Sequence, residues 1–228
     1  VDEKSTEKAI AFYEQFIEGD LHKTNARTAE MCKLVENSSR DVQIAFANEL
    51  SLICDKAGIN VWELINLANK HPRVNILQPG TGVGGHCIAV DPWFIVSEFK
   101  KETIIIKNAR EINNYKTEWV IEKIKSTSLQ FELDNNRKPT LALMGLAFKP
   151  NINDLRESPA LIVANSLIAE NKYNLLLVEP NLGESNKYDL TDYEALDGKA
   201  DIVIYLVAHK EFKGFDTKSI QLDFCGIE

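Results

Sequence analysis

The sequence predicts an α/β protein in which a helical half precedes a doubly wound parallel sheet. Three observations carry that prediction. Apolar residues recur at helical spacing as far as Ser126. After Pro139 the rhythm changes to short continuous apolar runs, which suit buried parallel strands. Those runs then alternate with helical segments, the pattern of βαβ units.

Each element follows from a local signal. Ser5 to Ile17 carries Ala9, Ile10, Phe12, Phe16 and Ile17 at helical spacing and stops before Gly19. Ala26 to Ala57 lacks Gly and Pro and reads as one long helix, closed by Gly58 in the usual stop position. A short helix is expected at Val61 to Asn69. From Lys70 to Asp91 the chain reads as a loop, with Pro72, Pro79 and four glycines at 80, 82, 84 and 85. Helical rhythm returns at Pro92 to Phe99 and at Ile104 to Ser126. The polar stretch Phe131 to Pro139 reads as a linker, dividing the chain into domains 1–130 and 131–228. Beyond it, Thr140 to Leu146 reads as a strand. Ser158-Pro159 starts a helix, with Ser as N-cap and Pro in the first turn, that runs to Glu170. Strands at Asn174 to Val178, Asp201 to Val207 and Gln221 to Phe224, with a short helix near Tyr193, complete the sheet. Ligands of such sheets bind at the strands' carboxyl ends, where the loop from Ala147 to Glu157 begins.

Composition narrows the class. The chain has 228 residues, 44% hydrophobic and 26% charged, an ordinary globular balance that excludes disorder and a disulfide-stapled miniature. Its net charge of -8 gives no electrostatic footprint for nucleic acid or an anionic membrane. No apolar run is long enough to span a bilayer, and the first residues have no signal-peptide core. Val1 is not an initiator Met, so position 1 is not taken as the natural start. Cys32, Cys54, Cys87 and Cys225 are widely spaced, which suits neither a disulfide framework nor zinc; a reducing cytoplasm is expected.

Four clusters are candidates for chemistry. Gly80, Gly82 and Gly85 satisfy a G-x-G-x-x-G pattern, but helical segments flank the loop and Pro92 follows it. A dinucleotide fingerprint needs a strand before and a helix after, so the loop reads either as a surface turn or as a close approach to a ligand. It delivers Cys87, with Asp91 four residues on, which places a nucleophile where it can be exposed. The thiol needs positive charge nearby to ionise. On the long helix, Lys33, Asn37 and Arg40 fall at i, i+4 and i+7 on one stripe, either a solvated face or a donor surface for an oxyanion or phosphate. Beyond these, His71-Pro72-Arg73 opens the glycine loop, and Lys149 and Arg156 stand where phosphate contacts belong.

Three segments together resemble the UDP-glucose/GDP-mannose dehydrogenase superfamily. They are Gly80-Thr-Gly-Val-Gly-Gly-His-Cys87-Ile-Ala-Val-Asp91-Pro-Trp-Phe94, Gly145-Leu-Ala-Phe148-Lys149-Pro-Asn-Ile-Asn-Asp154-Leu-Arg156-Glu-Ser-Pro159, and the helix from Asn37 to Glu49. His86 before Cys87, the run Ile-Ala-Val-Asp-Pro-Trp after it, and His71-Pro-Arg73-Val-Asn resemble the branch that oxidises UDP-N-acetylmannosamine, with UDP-N-acetylglucosamine 6-dehydrogenases as neighbours. The resemblance implies a central helical dimerisation domain, with a homodimer through the helix 26–57, and a Rossmann-like UDP-binding domain. It also implies an NAD-binding domain ahead of Val1. It further implies that Cys87 is the nucleophile, Lys33 and Asn37 support the developing charge, and Asp91 orients water. Arg40, His71, Arg73, Gly84, Phe148 and Lys149 would contact the UDP-sugar, with Arg73 reaching the partner's site, and Arg156 would contact the NAD diphosphate. Where many relatives carry a basic residue near the C-terminus, this chain has Cys225.

Overall fold

A computed structural model describes residues 2–183, 187–196 and 198–227. The helical half opens with α1 (Glu3–Tyr13), which is shorter than expected and buries no residue. Next comes α2 (Ala26–Ala57), whose ends are set locally. The Asn25 side chain accepts the Thr28 amide at one end, and Gly58 closes the other at φ 68°. After α3 (Val61–Ala68) and the glycine loop come α4 (Asp91–Glu98) and α5 (Ile104–Asn135).

The segment read as a linker is helical as far as Asn135. Its residues are mostly polar, but Phe131 packs against the sheet's core, and Ser128 one turn earlier is buried, so one face of the last turns is held by tertiary contact. Asn136, in the left-handed conformation at φ 51°, ends α5.

The second half is a four-stranded parallel sheet of β1 (Thr140–Met144), β2 (Asn174–Val178), β3 (Ile202–Tyr205) and β4 (Ile220–Asp223), in the order β2-β1-β3-β4. β1 stops short of Leu146 because Gly145 takes φ 94°, a conformation that breaks the ladder. Register pairs Leu141 with Leu175 on one side and with Ile202 on the other. α6 (Pro159–Glu170) is capped by Ser158, whose hydroxyl accepts the Leu161 amide.

Two apolar layers enclose the sheet. On one face Leu141, Leu143 and Ile204 pack with Val163 and Leu167 of α6 and with Val120 and Ile124 of α5. On the other, Ala142, Met144, Val203 and Tyr205 meet Leu196 and Phe212 from two 3-10 turns, of which the second, Lys210–Phe212, has no sequence signal. α5 is thus shared, packing on α2 and, through Val120 and Ile124, on the sheet's core.

Candidate active site

Helical spacing puts Lys33 and Asn37 on one side of α2, and the fold brings Asp91 of α4 to meet them. Asn37 Nδ2 donates to Asp91 Oδ2 at 2.5 Å, and Lys33 Nζ lies 3.5 Å from the same oxygen. Asp91 is in turn tied to Cys87, whose carbonyl accepts the Val90 and Asp91 amides at 3.0 and 2.8 Å. The Cys87 side chain is exposed. A lysine, an amide and a carboxylate therefore converge from two helices, and the turn bearing Cys87 leads directly into the second of them.

The glycine loop is pressed between the two halves. Thr81 links them directly: its carbonyl accepts Thr117 Oγ1 of α5 at 3.0 Å, and its hydroxyl donates to the Leu206 carbonyl beyond β3 at 2.7 Å. Upstream, the Gly80 amide donates to Asn48 Oδ1 of α2 at 2.9 Å. A Cβ on Gly84 would fall on the Glu157 carbonyl oxygen and 2.7 Å from Pro159 Cδ. Gly85, at φ 81°, leaves only 3.0 Å between such an atom and the Phe148 ring, and its amide donates to the Arg156 carbonyl. The absence of side chains at 84 and 85 thus lets the cysteine loop rest on the start of α6 and on Phe148.

From the sheet side, the loop after β1 supplies Phe148, Lys149 and Arg156. Lys149 is exposed, with Nζ 5.7 Å from the Phe148 ring. Arg156 forks onto Asp154, with Nη2 to Oδ2 at 2.6 Å; this pairing and hydrogen bonding hold the Asp154 carboxyl down to about 2. Arg156 also lies close enough to Cys87 for the two side chains to interact electrostatically. Gly80, Thr81, Ala147, Phe148, Lys149 and Cys225 belong to the lining of one cleft of about 190 Å³ at the carboxyl edge of the sheet. Burial, reinforced by Asp223, pushes the Cys225 thiol well up, so it faces this cleft as a neutral group.

Arg40, His71 and Arg73 stand apart. All three are exposed, and among the described residues no side-chain hydrogen bond or ion pair joins them to the Cys87 group. His71 Nδ1 accepts the Arg73 amide at 3.3 Å. Sequence reading missed the buried polar residues behind the site, Asp41, Asn48, Arg110 and Asn113 under the glycine loop and Glu179 and His209 under the Phe148 loop. The useful signal was positional, because Glu179 and His209 both follow apolar strand runs at their carboxyl ends.

Two family models match this chain, the UDP-glucose/GDP-mannose dehydrogenase central domain over residues 27–115 and the UDP binding domain of the same family over 142–224. The chain belongs to the UDP-glucose/GDP-mannose dehydrogenase family. It is 53% identical to UDP-N-acetyl-D-mannosamine dehydrogenase of Campylobacter jejuni, over 98% of this chain and 55% of that protein. It is 49% identical to NDP-N-acetyl-D-galactosaminuronic acid dehydrogenase of Ralstonia nicotianae, over 96% of this chain and 51% of that one. Among solved structures, the UDP-N-acetyl-mannosamine dehydrogenase of Staphylococcus aureus superposes with a TM-score of 0.84 at 36% identity, covering all of this chain and 54% of that one. The chain spans about half the length of the curated relatives it matches. Among the described residues, no helix is long and apolar enough to cross a membrane.

Proposed function

We propose that this chain carries the substrate-binding, covalent-catalytic and dimer-forming parts of an NAD-dependent dehydrogenase that oxidises C6 of UDP-N-acetylmannosamine to the carboxylate, with domains at 1–130 and 131–228 and a cytoplasmic setting. The observation that carries this reading is the meeting of Lys33 and Asn37 with Asp91 at the end of the Cys87 turn, on a glycine loop that also lines a cleft with Phe148 and Lys149.

The glycine loop itself does not fit a dinucleotide. It lies between α3 and α4, and its glycines are filled by Glu157, Pro159 and Thr117 rather than left open as a phosphate cradle. Arg156, exposed beside Cys87, is the residue here that the proposal assigns to the NAD diphosphate. When bound, NAD accepts the hydride in each of two oxidations. This chain's residues do the remaining work. In the first oxidation, from alcohol to aldehyde, the C6 hydroxyl proton passes to Lys33 as base while Asn37 donates toward the oxygen as it gains charge, and the C6 hydride would go to the cofactor. The Cys87 sulfur adds to the C6 aldehyde carbon, giving a thiohemiacetal whose oxygen takes up a proton. Loss of hydride and proton leaves a thioester on Cys87. Asp91, held as a carboxylate acceptor by Asn37 and Lys33, orients the water that cleaves the thioester and receives its proton. The products are the uronate and the free thiol.

Lys149 and Phe148 hold the nucleotide-sugar from the sheet side, with Gly84, Arg40 and His71 as further contacts and Arg73 reaching a partner's site. The homodimer uses α2, whose exposed Val35, Phe46 and Ile53 fall on one stripe of that helix. The intact natural protein given UDP-N-acetylmannosamine should form two NADH per sugar, and UDP-N-acetylglucosamine should be the poorer substrate. Cys87→Ala should abolish turnover; normal turnover by that variant would sink the mechanism. Calorimetry on this chain should detect UDP binding and little NAD binding.

A further inference from the structure

The loop bearing Phe148 and Lys149 is gripped at both ends by two side chains with no solvent exposure. Glu179 follows β2, and His209 lies beyond β3. Glu179 Oε2 accepts the Leu146 and Ala147 amides at 2.7 and 2.9 Å and lies 3.0 Å from His209 Nε2. Its Oε1 accepts the Asn181 amide at 3.1 Å. His209 Nδ1 accepts the backbone amide of Asn151 at 2.9 Å and lies 3.0 Å from Asn181 Nδ2. A ring nitrogen that faces a backbone N–H carries its lone pair there. The ring proton is therefore on Nε2 and is donated to Glu179. Asn151 completes the clasp: it is left-handed at φ 60°, and its Oδ1 accepts the Lys210 amide at 2.9 Å.

These bonds end on residues 146, 147 and 151, and the residues between them carry the ring and the cation that face the cleft. A well-packed apolar pair would serve the core as well as a buried acid and imidazole, and often better. What an apolar pair cannot do is collect three loop amides. We propose that Glu179 and His209 are positioning residues of the nucleotide-sugar site. They fix the backbone of residues 146–151 so that Phe148 and Lys149 stay within reach of the ligand. The proposal rests on the function given above. Neither side chain lines the cleft, so their influence passes through the loop.

The test combines calorimetric titration of this chain with UDP and hydrogen exchange at Leu146, Ala147 and Asn151. His209→Phe fills the ring's volume without its hydrogen bonds. His209→Asn keeps an acceptor near the Asn151 amide, and Glu179→Gln keeps one acceptor oxygen. His209→Phe should weaken UDP binding by about tenfold or more and speed exchange of the three amides. His209→Asn should recover part of both losses. In the intact natural protein, the same variants should raise KM for the UDP-sugar with kcat changed by less than about threefold. If His209→Phe fails to fold, Glu179→Gln carries the same readouts with a smaller shift. Wild-type UDP affinity in folded variants whose loop amides exchange faster would overturn the positioning role. Failure of the wild-type chain itself to bind UDP would overturn the underlying reading of the site, and the positioning role with it.

Discussion

Each half of the molecule buries a carboxylate, and the two are satisfied in opposite ways. Asp41 lies inside the helical half, completely buried, where its Oδ1 accepts Arg110 Nη1 at 2.7 Å and Asn113 Nδ2 at 2.8 Å. Among the described residues, its other oxygen and Arg110 Nε are buried without a hydrogen-bond partner. Glu179, in the sheet half, receives donors on both oxygens. The titrations diverge accordingly. Burial raises Asp41, and Arg110 and Asn113 draw it only part of the way back. Burial would raise Glu179 too, but hydrogen bonds from His209 and the backbone amides outweigh it and hold the carboxyl below its ordinary range. The cause is backbone geometry. A helix spends its amides on its own ladder, so an acid on α2 must rely on long side chains. The carboxyl ends of parallel strands leave loop amides free to converge on one acid.

The comparison can be broken most severely at the helical pair. Arg110→Met should cost about 3–5 kcal/mol in urea unfolding, because Asp41 is left as an unpaired buried charge. The double variant Asp41→Leu/Arg110→Met should recover most of that loss, and a double variant as unstable as the single would refute the argument. Glu179→Gln should cost about 1–3 kcal/mol, since its amide group would face the Asn181 N–H, donor against donor.

Acid titration sharpens the contrast in sign. Glu179 has a folded-state pKa below 4.5, so its stabilising contribution is present above that value and is lost as pH falls through the folded pKa. Asp41 has one above 3.8, so the cost of its charge is relieved as pH falls through the raised value. Carboxyl carbon NMR shifts should place the two midpoints on opposite sides of their ordinary values.

Lys116 is a further buried charge and gives the smallest effect. Its Nζ donates to Ser51 Oγ at 2.7 Å and sits 4.2 Å from the Trp119 ring, with burial pulling its pKa down to about 8. Wild-type stability should therefore rise as pH climbs from about 8 to 10.5, where only the unfolded chain keeps the proton. Lys116→Met should unfold at equal or slightly higher urea at pH 7, with that advantage shrinking toward pH 10.

Elements with local punctuation were readable from the chain alone. Asn25 and Gly58 bound α2, and Ser158-Pro159 starts α6, because caps and stops act over a few residues. The last turns of α5 were not readable. Their polar residues look like a linker until Phe131 is seen against the sheet's core. Within the site, the stripe of Lys33 and Asn37 follows from helical spacing, whereas its meeting with Asp91 spans 54 residues of sequence and needs the fold. Glu179 and His209 carry only a positional signal, at the carboxyl ends of apolar runs. Glu is ordinarily exposed and His intermediate, and nothing local reveals that loop amides will surround them.

By itself, then, the sequence determined the helical half, the parallel sheet, the family resemblance and the residue types available for chemistry. Those depend on periodicity, capping and motif spacing, which are short-range properties. Tertiary structure alone decided which charges meet, which are buried, and that the cysteine loop rests on Phe148 and the start of α6. These depend on desolvation and on partners contributed by distant segments, and no local pattern encodes either.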